Sequence, residues 1–253
     1  MQPIYKRLRE RARQIVAGFP PPDFYRDHHQ AAEYSRQFLK NDPILIKLRQ
    51  FVSDNLADNL GHGLEHAIKV TEDAGAILYI EGQAAVYSQV KLERRMCIVQ
   101  CAGLLHDIKR KKKDHAVEGA AFSQEVLQDF PLSARERDYV SSAIRNHEAF
   151  KEGIPIKSPD GVLIDGCLYD ADKFRWGPDN FTDTLWDMVA FFNPSVADFV
   201  IRYPGGMQRL EEIKATFRSH TGKKYGPQMI DFGIIIGQEL MTVILTEFSH
   251  MLQ

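Results

Sequence analysis

The stretch from Met96 to Asp107 reads MCIVQCAGLLHD, and it decides how the rest of the sequence is interpreted. It is an apolar run of helical appearance that closes on an imidazole next to a carboxylate, His106 and Asp107. Removing both groups from water is costly unless a partner satisfies them, and a bound metal ion would do so. More histidines and aspartates stand at helical positions around this pair: His62, His66, His115, His147 and Asp172.

Charge, cysteines and the first residues limit the class of protein. The 253 residues carry a formal net charge of −2, so no overall basic field attracts a nucleic acid polymer. The three cysteines are an odd number without zinc-finger spacing, which fits a reducing compartment. The first ten residues are too charged to form the apolar core of a secretory signal. We therefore expect a cytoplasmic protein with no membrane or nucleic acid partner; its oligomeric state stays open.

Apolar periodicity and helix-start signals predict helices along most of the chain. Asp42 before Pro43, for example, is a capping residue followed by a proline in the first turn. The predicted helical segments are 4–17, 23–40, 43–57, 64–80, 86–108, 115–128, 134–150, 170–175, 180–192, 196–203, 207–219 and 229–252. One run, Val162 to Ile164, is compatible with a strand, but no sheet is expected. The sequence therefore predicts an all-α fold.

The last apolar segment, 229–252, is nearly long enough to span a membrane. Asp231, Glu239 and Glu247 interrupt it, and carboxylates inside a helix that faces lipid are energetically expensive. Its apolar residues cover most of the helix circumference, as in an element packed on several sides. We therefore predict a central core helix.

The histidines and aspartates are placed so that they can converge on a metal. Metal binding needs neutral imidazoles and ionised carboxylates from several rigid elements, because one helix cannot surround an ion. His106 and Asp107 end one predicted helix, His115 begins the next, and His147 and Asp172 belong to two others. A ligand set rich in imidazole favours Mn, Fe, Co, Ni or Zn over Mg. We expect one or two such divalent ions.

Three motifs in this order resemble the HD-domain superfamily of metal-dependent phosphohydrolases. Residues 61–70, GHGLEHAIKV, are similar to its first motif, and residues 104–108, LLHDI, match the motif that gives the family its name. Residues 169–174, YDADKF, resemble its closing motif. The resemblance covers about 60–175 and implies one multi-helix HD-type domain over 59–253, with a helical lead-in over 1–58 and further helices at the C-terminus.

The resemblance also implies the metal ligands. Its motifs assign this role to His66, His106, Asp107 and Asp172. His115 and His147 stand where family members with two metals place their additional histidines, which implies a dinuclear site. Asp170 competes with Asp172, but residues two apart on a helix face differently. We assign the ligand role to Asp172 and a helix-cap role to Asp170.

Several cations are candidates to hold a phosphate group. Lys109 and Arg110 begin a basic loop directly after the His-Asp pair, so we predict that they face the substrate as catalytic residues together with Asp107, the expected proton acceptor. Arginine holds phosphate oxygens with a planar fork of donors. The predicted substrate contacts are His62, Arg145, Lys173 and Arg175.

These observations predict metal-dependent hydrolysis of a phosphate ester, on a nucleotide or another small phosphorylated metabolite. One alternative is a di-iron oxygenase, since a minority of the superfamily with additional histidines uses O₂. Another is a metal-stabilised binding or regulatory module without catalysis, in which the N-terminal helices serve a partner. Turnover of a phosphate ester indicates the hydrolase, and oxygen uptake that depends on substrate indicates the oxygenase. Ligand binding without turnover indicates the regulatory module.

Overall fold

The computed structural model describes residues 2–55 and 63–248. These residues form twelve α-helices and no strand, so the predicted all-α fold is confirmed. The helices are α1 Pro3–Ala17, α2 Asp23–Asp27, α3 His29–Asn41, α4 Pro43–Asn55, α5 Leu64–Ala84, α6 Gln89–Leu105, α7 His115–Val126, α8 Ala134–Asn146, α9 Pro159–Phe174, α10 Leu185–Phe192, α11 Val196–Ile213 and α12 His220–Glu247.

Helix α6 lies at the centre of the fold. Every residue from Met96 to Leu105 is buried. Helix α5 packs along α6, and α3, α4, α8 and α9 contact one or both of them. The side-chain NH₂ group of the buried Gln100 donates inside this core to the carbonyl oxygen of Ser35 at 3.0 Å. The apolar run that ends in the His-Asp pair is therefore the element around which the other helices pack.

Helices α5 and α6 approach closely at Gly103. A Cβ atom placed on Gly103 would lie 2.8 Å from the Cα atom of Thr71 and 2.6 Å from its hydroxyl oxygen. Gly103→Ala is expected to destabilise the protein by about 1–3 kcal/mol, because one backbone must shift to admit the methyl group. Urea denaturation measures this difference in the free energy of unfolding.

Gly205→Ala in α11 is the matched control for this substitution. A Cβ atom at Gly205 would have nothing within 4 Å. Alanine is the better helix former by roughly 0.5–1 kcal/mol, so this variant is expected to be as stable as the wild type or more so. Equal effects of the two substitutions would contradict the close packing at Gly103.

The N-terminal helices pack against the later part of the chain. Helix α1 buries Ile4, Tyr5, Leu8 and Ala12 and contacts α10 and α12. Helices α3 and α4 lie on α5 and α6. The predicted division between a lead-in and a main domain, at 58–59, lies outside the described residues.

Several predicted helices in the first two thirds of the chain end at other residues than predicted, and two predicted elements differ in continuity or in kind. The predicted helix 23–40 is broken at His28, where the backbone leaves helical geometry with φ −121° and ψ 30°. Val162 to Ile164 belongs to α9 and not to a strand. The reason is the start of α9, where Pro159 occupies the first turn and the hydroxyl of Ser158 accepts from the amide of Gly161.

Prolines inside helices account for two further differences. The predicted segments 196–203 and 207–219 form one helix, α11, through Pro204. Helix α12 begins at His220 and continues through Pro227, nine residues before its predicted start. A proline removes one backbone hydrogen bond, and in both helices packing of α11 against α12 compensates for this loss.

Helix α12 is long and apolar enough to cross a membrane by length and composition, and no other helix of residues 2–55 and 63–248 meets that test. It contacts α1, α9 and α11, and its buried positions include Met229, Ile236 and Leu240. A core helix of this kind passes the same test, so the finding is weak evidence for a membrane span.

Candidate metal centre

The six predicted metal ligands meet in one buried place. His66 is in the first turn of α5, His106 and Asp107 directly follow α6, and His115 is the first residue of α7. His147 directly follows α8, and Asp172 lies in the last turn of α9. Each of these residues is at most 8% exposed. The apolar packing of five helices therefore brings six polar side chains from helix ends into one space.

The first group of donors comprises His66, His106, Asp107 and Asp172. The Nε2 atoms of His66 and His106 are 3.3 Å apart. Asp172 Oδ1 lies 3.4 Å from His66 Nε2 and 3.8 Å from His106 Nε2. Asp107 Oδ2 is 3.6 Å from His106 Nε2. Four donors from three helical elements thus face a common point.

The second group shares Asp107 with the first. The Nε2 atoms of His115 and His147 each lie 3.5 Å from Asp107 Oδ1. Asp107, His115 and His147 form a set that could hold an ion, and so do His66, His106 and Asp107. Asp107 therefore directs Oδ2 at the first group and Oδ1 at the second. A carboxylate in this position could serve as a ligand in both groups.

Hydrogen bonds fix which ring nitrogen of two histidines is free to bind. Nδ1 of His106 lies 2.7 Å from the carbonyl oxygen of Gly103, and Nδ1 of His147 lies 2.7 Å from that of Ile144. A carbonyl oxygen only accepts, so Nδ1–H donates in both cases and Nε2 keeps its lone pair. Burial lowers the pKa of His106 to about 4 and that of His115 to about 4. Both imidazoles are therefore neutral at pH 7, as metal binding requires.

Lys173 orients the carboxylate of Asp172. Its ammonium donates to Asp172 Oδ2 at 2.5 Å, which leaves Oδ1 directed at His66 and His106. Burial raises the pKa of Asp172, but Lys173 and the two histidines outweigh that effect and hold the pKa well below its ordinary value. Asp172 is therefore ionised at neutral pH.

The donor atoms fit a divalent transition metal in type and spacing. Nitrogen and oxygen ligands at 2.0–2.2 Å from one ion stand roughly 2.8–3.6 Å apart. Five of the six donor pairs described above span 3.3–3.6 Å. The sixth, between His106 Nε2 and Asp172 Oδ1, is wider at 3.8 Å. Neutral imidazoles combined with ionised carboxylates suit Mn, Fe, Co, Ni or Zn.

The metal centre opens into a cavity of about 530 Å³. Arg110, Lys173 and Arg175 line this cavity together with His66, Asp107, His147 and Asp172. Lys109 and Arg145 are not among its lining residues, although both were predicted to face the substrate. The Lys109 ammonium instead lies 3.5 Å from the centre of the Phe122 ring, where the aromatic face attracts it.

Arg110 reaches into the second group of donors. One of its guanidinium nitrogens lies 2.8 Å from His115 Nε2 and 3.8 Å from Asp107 Oδ1. Arginine only donates, so His115 Nε2 accepts this hydrogen bond with the lone pair that a metal would use. Arg110 and a second ion therefore compete for His115.

Arg175 is held by other protein groups, although it was predicted to bind substrate. It pairs with the buried Asp73, with Asp179 and with the hydroxyl of Tyr25. Burial lowers the pKa of Arg175, but these partners raise it by more, so Arg175 stays charged. Asp73 and Tyr25 were not predicted from the sequence, where they are 102 and 150 residues from Arg175 and carry no motif.

Asp170 holds the segment that leads into α12, and the residue that caps α12 is Ser219. The Asp170 carboxylate accepts from the amides of Arg218 and Ser219 and from the Ser219 hydroxyl, just before α12 begins. The prediction that Asp170 caps a helix starting at 170 is wrong, because α9 already begins at Pro159. His62 and His250 lie outside the described residues.

No sequence pattern indicated the apolar side of the cavity, to which α10 and α11 contribute. None indicated Glu148 either, whose carboxylate lies 3.8 Å from His115 Nδ1. Residues of α10 and α11 follow an ordinary amphipathic pattern that does not distinguish a cavity wall from a core face.

Comparisons with known proteins agree with the position of these motifs. Residues 63–177 match the family model of the HD domain. The crystal structure of a predicted HD superfamily hydrolase from an uncultured Thermotogales bacterium is similar, with a TM-score of 0.51 and 20% sequence identity. The likeness covers 81% of this chain and 96% of that chain, and at this identity it shows the fold alone. No curated protein matches the sequence.

Proposed function

We propose that this chain is a metal-dependent hydrolase of phosphate esters in the HD-domain superfamily, whose family model matches its residues 63–177. The observation that carries the proposal is the convergence of His66, His106, Asp107, His115, His147 and Asp172 at the end of a cavity. A non-catalytic scaffold needs fewer ligands and no open side. The substrate is a small phosphorylated molecule, for which a nucleotide is the first example to test.

The residues around the centre have distinct roles in this reaction. The bound divalent ion supplies activation of water and neutralisation of negative charge on the phosphoryl oxygens. Asp107 is placed between both groups of donors and accepts the proton of the attacking water. Arg110 and Lys173, on the cavity side, hold phosphoryl oxygens in place. The ester P–O bond breaks, and the products are inorganic phosphate and the free alcohol.

Metal reconstitution with a substrate panel tests the proposal. The protein is stripped of metal, loaded with Mn, Fe, Co, Ni or Zn in turn, and incubated with phosphomonoesters, phosphodiesters and nucleotides. We expect phosphate release that requires metal, is lost in His66→Ala and is retained in His29→Ala, which alters an exposed histidine. Bound metal without turnover would contradict hydrolysis, and oxygen uptake by the iron-loaded protein would favour an oxygenase.

Arg110→Ala is expected to tighten binding of a second ion about tenfold or more. The substitution frees the lone pair of His115 Nε2 and removes a positive charge that stands 3.8 Å from Asp107 Oδ1. A cation at this place also repels a divalent ion held by His115 and Asp107, and solvent screening reduces that repulsion without removing it. Calorimetric titration of the metal-free protein with Mn or Zn measures both affinities.

Lys113→Ala is the control for this experiment, because it removes an exposed cation from the same basic loop. Its two metal affinities are expected to equal those of the wild type. If Arg110→Ala also leaves the second affinity unchanged, Arg110 does not compete with an ion.

A further inference from the structure

The cavity next to the metal centre has one polar end and one apolar side. Its polar end consists of four predicted metal ligands together with Arg110 and Lys173: His66, Asp107, His147 and Asp172. From there it follows α10 and α11, whose apolar lining residues are Leu185, Met188, Val189, Phe192, Phe199, Tyr203, Met207 and Leu210. Phe181, just before α10, also lines it. At about 530 Å³ it has room for a ligand much larger than a phosphate group.

Few groups on this apolar side are available for hydrogen bonds. Among the described lining residues of this side, Asn180 and Thr184 have uncharged polar side chains, and the Tyr203 hydroxyl already donates to the carbonyl of Gly237 at 2.9 Å. A nucleoside placed there would bury more ribose and base groups than Asn180 and Thr184 can pair with, and each unpaired group costs binding energy. The wall therefore favours a substrate portion that has no hydrogen-bonding groups.

The apolar lining continues to the protein surface. Phe150 is 50% exposed and Phe192 is 66% exposed, and both line the cavity. Arg202 and Arg209 lie beside them at this opening and are exposed. A ligand with an extended hydrocarbon chain, bound with its head at the metal centre, would thus contact apolar side chains until it reaches solvent.

We propose that the substrate is amphiphilic: a phosphate ester of an alcohol that carries an extended apolar chain. The phosphate lies at the metal centre, within reach of Arg110 and Lys173, and the chain lies along α10 and α11. This inference rests on the proposed hydrolase function, because it places the scissile phosphate at the metal ligands. The reaction consumes water and releases the free alcohol and inorganic phosphate.

Binding of n-alkylphosphonates to the metal-loaded protein tests the inference without any turnover. These compounds keep the charged head and the chain, but their C–P bond is not hydrolysed. Isothermal titration with ethyl to decyl chains is expected to show the Kd falling about fourfold for each added methylene until the chain reaches the opening. A Kd that does not change with chain length would overturn the proposal.

A polar substitution in the wall distinguishes specific binding from adsorption. Met188→Gln keeps the length of a side chain that lines the cavity, while Met241→Gln makes the same change in α12 away from it. Met188→Gln is expected to weaken binding of octylphosphonate at least about tenfold more than that of ethylphosphonate, and Met241→Gln is not. Metal content equal to that of the wild type verifies that both variants are folded. Equal effects of the two substitutions would contradict a chain site on α10.

Kinetics separate a failure of this inference from a failure of the proposed function. Phosphate release from a series of alkyl phosphates and from nucleoside monophosphates is measured on the same protein. A higher kcat/KM for a nucleotide than for octyl phosphate would overturn the proposal of an amphiphilic substrate, while the proposal that the protein is a hydrolase would stand. Tight octylphosphonate binding without phosphate release from any ester would overturn the hydrolase while supporting the chain site.

Discussion

Asp107→Ala is expected to abolish binding of both metal ions and to lower kcat/KM for phosphate release at least about a thousandfold. The physical reason is that Asp107 belongs to both groups of donors, with Oδ2 3.6 Å from His106 and Oδ1 3.5 Å from His115 and His147. Without it each group keeps imidazoles but loses the carboxylate that they share. Metal content by plasma emission spectrometry and initial rates measure the two losses separately.

Asp138→Ala provides the matched control, because it removes an exposed carboxylate from α8. It is expected to keep full metal content and full activity. Circular dichroism verifies that the helices of Asp107→Ala remain formed. If the Asp107→Ala variant still binds two ions, Asp107 is not a ligand shared by the two groups. If its kcat/KM is unchanged, the reaction takes place elsewhere in the molecule.

Arg175→Met is expected to destabilise the protein by about 3–5 kcal/mol, because it leaves the buried carboxylate of Asp73 without its cationic partner. The substitution also removes the contacts of Arg175 with Tyr25 and Asp179. Urea denaturation is the measurement, and a lower midpoint with an unchanged m value identifies a change in stability.

The exposed ion pair of Arg26 is the comparison for this effect. Arg26 lies 2.7 Å from Asp23 and its side chain is 66% exposed, so Arg26→Met is expected to leave the free energy of unfolding nearly unchanged. The double variant Asp73→Asn with Arg175→Met is expected to lose less than the sum of the single variants, since the uncompensated charge is then absent. Similar losses in the free energy of unfolding for Arg175→Met and Arg26→Met would show that burial does not make the Arg175–Asp73 pair more important for stability than an exposed ion pair.

Residues with strong local signals were predictable in position. The run from Met96 to Leu105 is apolar all round, which predicts a helix packed on every side, and it is buried along its full length. His106, Asp107 and His115 occupy helix ends, where a sequence carries start and stop signals. His66 and Asp172 also lie near helix ends and face the same point. The local sequence pattern therefore indicated which imidazoles and carboxylates lie at the ends of largely apolar helices.

Contacts between distant segments were not predictable, because they have no local signature. The pairing of Arg175 with Asp73 joins residues 102 apart, and the hydrogen bond from the Ser219 amide to Asp170 joins residues 49 apart. Lys109 and Arg110 are neighbours with the same charge, yet one lies over Phe122 and the other on His115. The direction of each side chain depends on which helix packs beside it.

The sequence by itself determined the all-α class and the set of imidazoles and carboxylates that lie at helix ends, because periodicity and helix-end chemistry are local properties of the chain. Only the tertiary structure decided that Asp107 stands between two groups of donors, that Arg110 reaches into one of them, and that α10 and α11 give the cavity an apolar side. These three features depend on the angles and distances at which helices pack. Packing follows the shapes of many side chains at once, so no short pattern encodes it.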